Sequence, residues 1–252
     1  MNVDRRQLTA LIFDVDGTLY RQGGLRRAML FKLLLHAVQN IGSSFATFRI
    51  LREYRRAQEV LRETHVGGDL AAAQLRIACE RSGYAEAIVS RTVARWMEQE
   101  PAPLLERFMD PGLRSFLRAA KGRGLRMGVL SDYPAADKLA AMKLGEFFEV
   151  VVSAQDAAVN RFKPHPSGLL EVLRRLGATP PQALYIGDRH DVDAAVARAA
   201  GVHCVILGRR AEATVAEGFT SVTSYERLER MLFAQADAAV EPPVEATASK
   251  EP

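Results

Sequence analysis

The sequence predicts an α/β fold: a mostly parallel sheet with helices on both faces and an all-helical insertion after the first strand. Three observations carry this. Short apolar runs alternate with amphipathic stretches along most of the 252 residues, as expected of strands buried on both faces by crossover helices. The alternation fails once, over residues 21–100, where no strand-like run occurs. Glycines also stand where helices should end, at Gly145, Gly177 and Gly201.

Taken in order, the first strand covers residues 11–15. The insertion follows as helix-like stretches separated by Gly42, Gly67, Gly68 and Gly83, and Pro101, Pro103 and Pro111 punctuate the return to the sheet pattern. Helices are expected over residues 112–121, 135–144, 167–176 and 192–200. Strands are expected over 127–130, 150–152, 183–186 and 204–207. The layout is a sheet core of residues 1–20 and 101–234 with a helical domain of residues 21–100 set into it. Periodicity leaves the strand order open. Met29, Leu30, Phe31 and Leu33 to Leu35 read mainly as the insertion's own core, with a minority at the site entrance. Residues 235–252, rich in Ala, Glu and Pro, read as a disordered tail.

Composition narrows the classes. With 48% apolar residues the chain can bury a substantial core. A formal charge of +4 is too mild to indicate nucleic-acid binding, and no base-stacking or groove-reading motif occurs. Cys79 and Cys204 lie far apart in no paired arrangement, which argues against a disulfide framework and for a cytoplasmic setting. The start lacks the apolar stretch of a signal peptide. The most apolar later stretch, residues 28–41, is interrupted by Lys32, His36, Gln39 and Asn40, and is shorter than the ~20 residues of a membrane span. Neither nucleic acid nor membrane is expected as a partner. Oligomeric state is not legible.

The chemistry begins where the first strand ends, at Leu11-Ile12-Phe13-Asp14-Val15-Asp16-Gly17-Thr18-Leu19. In an extended segment residues two apart point the same way, so Asp14 and Asp16 can face one site. Ligands of open parallel sheets bind at the carboxyl ends of strands. Two carboxylates there can divide labour between nucleophile and acid/base. A calcium loop would need Gly sixth and Glu twelfth. Counted from Asp14, the glycine comes fourth and the twelfth residue is Leu25.

The segment from Asp14 to Leu19 resembles the first motif of the haloacid dehalogenase-like (HAD) hydrolases, and three further motifs follow in order. Val129-Leu130-Ser131 resembles the second. Lys163, within Arg161-Phe162-Lys163-Pro164-His165-Pro166, resembles the third. Tyr185-Ile186-Gly187-Asp188 with Asp193 resembles the fourth, Asp191 competing with Asp193 as its second acid. The resemblance spans residues 11–207 and is nearest to the phosphoglycolate phosphatase-like branch. It implies a Rossmann-like core with a helical cap. It also implies Asp14 as nucleophile, Asp16 as general acid/base, and Ser131 and Lys163 on the phosphoryl group. Asp14, Asp16, Asp188 and Asp193 would surround the metal, with Mg2+ the expected ion. Many relatives have Asn where this chain has Asp132, whose role stays unassigned.

The expected function is therefore Mg-dependent hydrolysis of a small-metabolite phosphomonoester through an aspartyl-phosphate. A phosphosugar mutase shares these residues. A dehalogenase of this fold typically has Tyr where Asp16 stands, and a catalytically silent binding protein would be expected to have lost a motif residue. Most arginines of the insertion read as a solvated face, some as contacts for an anionic part of the substrate. The histidines 36, 65, 165, 190 and 203 show no metal-ligand spacing, and His165 and His190 flank motif residues.

Overall fold

The run Ala10–Phe13 leaves no side chain exposed, which suits the centre of a sheet covered on both faces. The structure, a computed structural model, describes residues 7–39, 41–64, 68–208 and 219–234 and places this run there as β1. The other strands are β2 (Arg126–Ser131), β3 (Val150–Ser153), β4 (Ala183–Gly187), β5 (His203–Leu207) and β6 (Phe219–Val222). All pair in parallel, in the order β3-β2-β1-β4-β5-β6.

Alternation along β1 builds two cores. Leu11 and Phe13 pack on one face with α6 (Leu113–Gly122) and α10 (Tyr225–Phe233). Ala10 and Ile12 pack on the other with α8 (Ser167–Leu176) and α9 (Ala195–Ala199). Gly177 and Gly201 adopt the left-handed conformation at helix ends, as their spacing predicts. The helix expected over residues 135–144 is shorter, α7 (Ala136–Ala141). Lys143 rather than Gly145 takes the positive φ that follows it, and Gly145 opens a 3-10 turn.

The expected helix over 192–200 is replaced by a π-helical turn, His190–Ala194, running into α9. Asp193 explains the wider turn, because its carboxylate accepts the preceding Asp188 and Arg189 N–H groups. Strand β6 and α10 were not expected. Their signal is short, but Ser224 caps α10, and Tyr225, Leu228, Leu232 and Phe233 follow at helical spacing. The expected disordered tail, residues 235–252, lies outside the described residues.

The insertion is helical: α1 (Gln22–Gln39), α2 (Ile41–Glu63), α3 (Leu70–Ser82) and α4 (Glu86–Val93), the last continuing as a π-helical stretch to Gln99. After α5 (Ala102–Phe108) the chain returns beside its point of departure, where Tyr20 pairs with Met109 in an antiparallel bridge. Helices α2 to α4 build a core of their own from Ile50, Tyr54, Ala78, Val89 and Val93.

One expectation is corrected here. Leu30, Phe31, Leu34 and Leu35 are not cap core: each is about half exposed or more. Helix α1 buries only a narrow stripe, Leu25 and Leu33 fully and Met29 in part, and among the described residues nothing covers the opposite stripe.

Candidate active site

Strands β1 and β4 are neighbours, yet the chain runs from β1 toward β2 and β3 and from β4 toward β5 and β6. A crevice therefore opens between their carboxyl ends. Asp14 directly follows β1 and Asp188 directly follows β4. One carboxylate oxygen each from Asp14, Asp188 and Asp193 lies within 4.8 Å of the others. Two glycines allow this approach. Gly17 has φ +104°, and a Cβ there would sit 2.1 Å from Asp188 Oδ2; a Cβ on Gly187 would sit 2.5 Å from that of Asp193.

Lys163 supplies the buried cation. Its Nζ donates to Asp14 Oδ1 at 2.6 Å, to Asp193 Oδ1 at 2.7 Å and to the Tyr185 hydroxyl at 3.2 Å. Tyr185 in turn donates to Asp193 at 3.0 Å, and Thr18 donates to Asp14 Oδ2 at 3.1 Å. One ammonium thus serves two carboxylates, and they share it unequally. Burial raises Asp193, but the Lys163 charge and the hydrogen bonds from Lys163, the Arg189 N–H and Tyr185 outweigh it and hold that carboxyl low.

Asp14 goes the other way. Burial is the largest influence, the Lys163 ammonium opposes it, and Asp193, Asp16 and Asp188 add to the rise. Asp188 is pushed up to about 6, by burial first and Asp193 second, against Lys163 and Arg189. Two buried carboxyls and a half-buried third, with one ammonium bridging the first two, leave a local excess of negative charge when ionised. Such an all-oxygen set fits a hard divalent cation.

Asp16 lies apart from that group. Lys138 Nζ donates to both its oxygens, at 2.6 and 2.8 Å, and the Tyr20 hydroxyl donates to Oδ1. Burial would raise its carboxyl, but the Lys138 charge and the hydrogen bonds from Lys138 and Tyr20 hold it below the usual range. Its carboxylate is thus committed to Lys138 and Tyr20 rather than joined to the other three. Ser131 ends β2 fully buried, its Oγ accepting the Tyr133 N–H at 3.3 Å. Asp191 is exposed and pairs with Arg189, so Asp193 is the acid of this segment that enters the cluster. His165 and His190 are exposed, and neither lines the cavity.

Asp132 finds its partners in the insertion. Its Oδ2 accepts from Arg62 at 2.5 Å and Gln58 at 3.0 Å, both on α2, while Oδ1 accepts the Lys163 N–H at 3.2 Å. Arg62 also donates to the Lys163 carbonyl oxygen at 2.5 Å. The insertion is therefore tied to the backbone of the residue that supplies the site's cation. A double-mutant cycle of Arg62→Met and Asp132→Asn is expected to show a coupling on the order of 1–3 kcal/mol in unfolding free energy. Additive effects would make the contact incidental.

The sequence reading did not single out Lys138, Tyr20, Tyr185 or Arg62 for these contacts. Tyr185 carries a signal: a hydroxyl within a wholly buried strand needs a partner. Lys138 and Arg62 carry none, because helical spacing alone does not say what a basic side chain reaches. Above the cluster lies a cavity of about 760 Å³, walled by the strand-end loops and by α1 and α2 of the insertion.

Residues 8–201 match the sequence profile of the haloacid dehalogenase-like hydrolases. The chain belongs to that family. Among curated relatives of this HAD-like hydrolase, the phosphoglycolate phosphatase of Escherichia coli K12 is 38% identical over 104 residues, a match covering 40% of each chain. The matched segment thus spans well under half the length of that relative. Two crystal structures share the fold. A HAD phosphatase of Thermococcus onnurineus superposes with a TM-score of 0.55 at 22% identity, covering 90% of this chain and 98% of its own. The HAD hydrolase YfnB of Bacillus subtilis, bound to magnesium, superposes with a TM-score of 0.63 at 15% identity, covering 89% and 98%.

Proposed function

We propose that this HAD-like hydrolase is a magnesium-dependent phosphatase that hydrolyses a small phosphomonoester through an aspartyl-phosphate on Asp14. The observation that carries this is the cluster of Asp14, Asp188 and Asp193 at the carboxyl edge of the sheet, with the buried Lys163 ammonium bridging Asp14 and Asp193. The phosphoglycolate phosphatase of E. coli supports the substrate class.

In this reading the Asp14 carboxylate attacks phosphorus, and Lys163 and Ser131 hold the phosphoryl oxygens. Asp16 carries the proton to the leaving oxygen and then takes one from the attacking water. Asp14, Asp188 and Asp193 hold the ion; the Asp16 carboxylate stays outside that set, and to act as the acid it has to leave Lys138 and Tyr20 and take up a proton. Bound there, a divalent cation supplies positive charge that keeps Asp14 ionised and offsets the charge of the phosphoryl group. Residues 21–100 act as a cap over the site, which the contacts of Gln58 and Arg62 with Asp132 support. A cytoplasmic setting, without nucleic acid, is what this reading assumes.

The test is hydrolysis of an aryl phosphate and a panel of phosphomonoesters, with and without magnesium. EDTA is expected to abolish turnover and magnesium to restore it. Because burial raises Asp14 and Asp188, binding the ion releases protons. Apparent magnesium affinity should therefore rise with pH from about 6, the value to which Asp188 is pushed, up to about 8, the value to which Asp14 is pushed. Full activity after exhaustive metal removal would overturn the assignment and favour attack on carbon, as in a dehalogenase.

A further inference from the structure

The exposed side of the α1–α2 hairpin is amphiphilic along its length. On α1, Leu30, Phe31, Leu34, Leu35 and Val38 recur at helical spacing and are 49–79% exposed. On α2, Phe45 and Phe48 are 74% and 40% exposed. These two helices follow each other across residue 40 and pack together, so the apolar residues gather toward the end where they meet. Cations stand behind them on the same faces. Arg27 lies one turn before Leu30 and Phe31, and Arg49 and Arg52 lie one turn beyond Phe45 and Phe48.

Charge decides what can cover this face. Between Asp16 and Glu53 the chain has no carboxylate, while Arg21, Arg26, Arg27, Lys32, Arg49 and Arg52 all fall there. Some are neutralised from outside or at its edge: Arg21 by Asp110, Lys32 by Glu100 and Arg52 by Glu53. Among the described residues, Arg27 and Arg49 meet no carboxylate. A second copy of this chain would set a cationic face against its own image, and like charges there oppose association. An anionic lipid surface is complementary to the same face, with apolar side chains in the acyl boundary and arginines among the headgroups.

The face is also continuous with the active-site cavity. Leu30 and Phe48 are exposed on the hairpin and line the cavity as well, joined there by Met29, Leu33, Leu51 and Trp96. That apolar wall and a cavity of about 760 Å³ exceed what a two-carbon phosphoester can fill. No described helix is long and apolar enough to cross a membrane, so the contact is peripheral.

We propose that the α1–α2 hairpin docks on an anionic lipid surface, and that the phosphomonoester it admits carries an apolar tail lying along this wall. The substrate half rests on the phosphatase reading, whereas the docking half does not. It also revises the sequence expectation of no membrane partner, which weighed a spanning segment and took the α1 leucines for core.

The test is co-sedimentation of the full chain with vesicles of phosphatidylcholine, with and without phosphatidylglycerol. Its second arm compares hydrolysis of a long-chain alkyl phosphate held in those vesicles with that of a short-chain one. The chain is expected to sediment with the anionic vesicles, to be released by salt, and to favour the long-chain substrate. Phe31→Glu with Leu35→Glu, both outside the cavity, should weaken vesicle binding at least tenfold and leave hydrolysis of a soluble aryl phosphate unchanged. Wild-type protein that stays in solution with anionic vesicles overturns docking. The same holds if the chain is a dimer that these substitutions dissociate and that ignores lipid. Vesicle binding with equal use of both alkyl phosphates overturns the apolar tail. Vesicle binding without hydrolysis of any phosphomonoester would instead remove the phosphatase reading and leave docking standing.

Discussion

Asp14→Asn is expected to stop both turnover and phosphoenzyme formation on every phosphomonoester, because an amide is a far poorer nucleophile than a carboxylate. Its neighbour two residues on behaves differently. On the proposed mechanism, Asp16→Asn should remove the proton donor to the leaving oxygen and the base for water, each worth ~10²–10⁴-fold. An aryl leaving group needs little protonation, so Asp16→Asn should lose less in forming phosphoenzyme from an aryl phosphate than from an alkyl phosphate. The two aspartates have different surroundings. Asp14 lies against Lys163 in the carboxylate cluster, while Asp16 is turned to Lys138 and Tyr20. Rapid-quench measurement of phosphoenzyme on the two substrates separates the roles. Equal losses for Asp16→Asn on both would remove it as the acid, and substantial activity in Asp14→Asn would remove the covalent route.

Lys163→Met is expected to be the most damaging single change to stability. It leaves Asp14 and Asp193 buried without their shared ammonium, and breaking a buried pair by removing one partner costs about 3–5 kcal/mol. For a chain of this size that is a fall on the order of 10 °C in Tm. The pH dependence has a definite sign. Lys163 holds the Asp193 carboxyl low, so its contribution is present above the ordinary carboxylate range and lost as pH falls through the lowered value. The deficit of Lys163→Met should therefore be largest near neutral pH and shrink on acidification, as the unpaired carboxyls take up protons. Lys163→Arg should not restore activity, because a planar fork cannot place one donor between Asp14, Asp193 and Tyr185 as the ammonium does. Thermal unfolding across pH, in EDTA and in magnesium, measures this. A deficit that does not vary with pH would mean that the loss is one of packing.

How much was legible in the sequence differs from element to element. Strand β1 and its two aspartates are read from four aliphatic and aromatic residues followed by Asp-x-Asp-Gly, because a run buried on both faces must be apolar throughout. The insertion is visible as a stretch without strand periodicity, and Lys163 and Asp188 by their place in the motif order. Strand β6 escaped because four residues with two buried side chains carry almost no periodic signal, whereas α10 escaped although its cap and apolar spacing are readable.

What only the tertiary structure decided are the pairings between segments far apart in the chain. Motif spacing favours Asp193 with Asp191 as a competitor, and packing separates the two: one sits on Gly187 beneath Lys163 and the other points to water beside Arg189. Asp132 is a repulsive carboxylate near a phosphate until α2 brings Arg62 and Gln58 to it. The leucines of α1 look like core in sequence, since burial depends on which neighbouring helix arrives to cover them, and here the sequence set the apolar stripe while packing left half of it open.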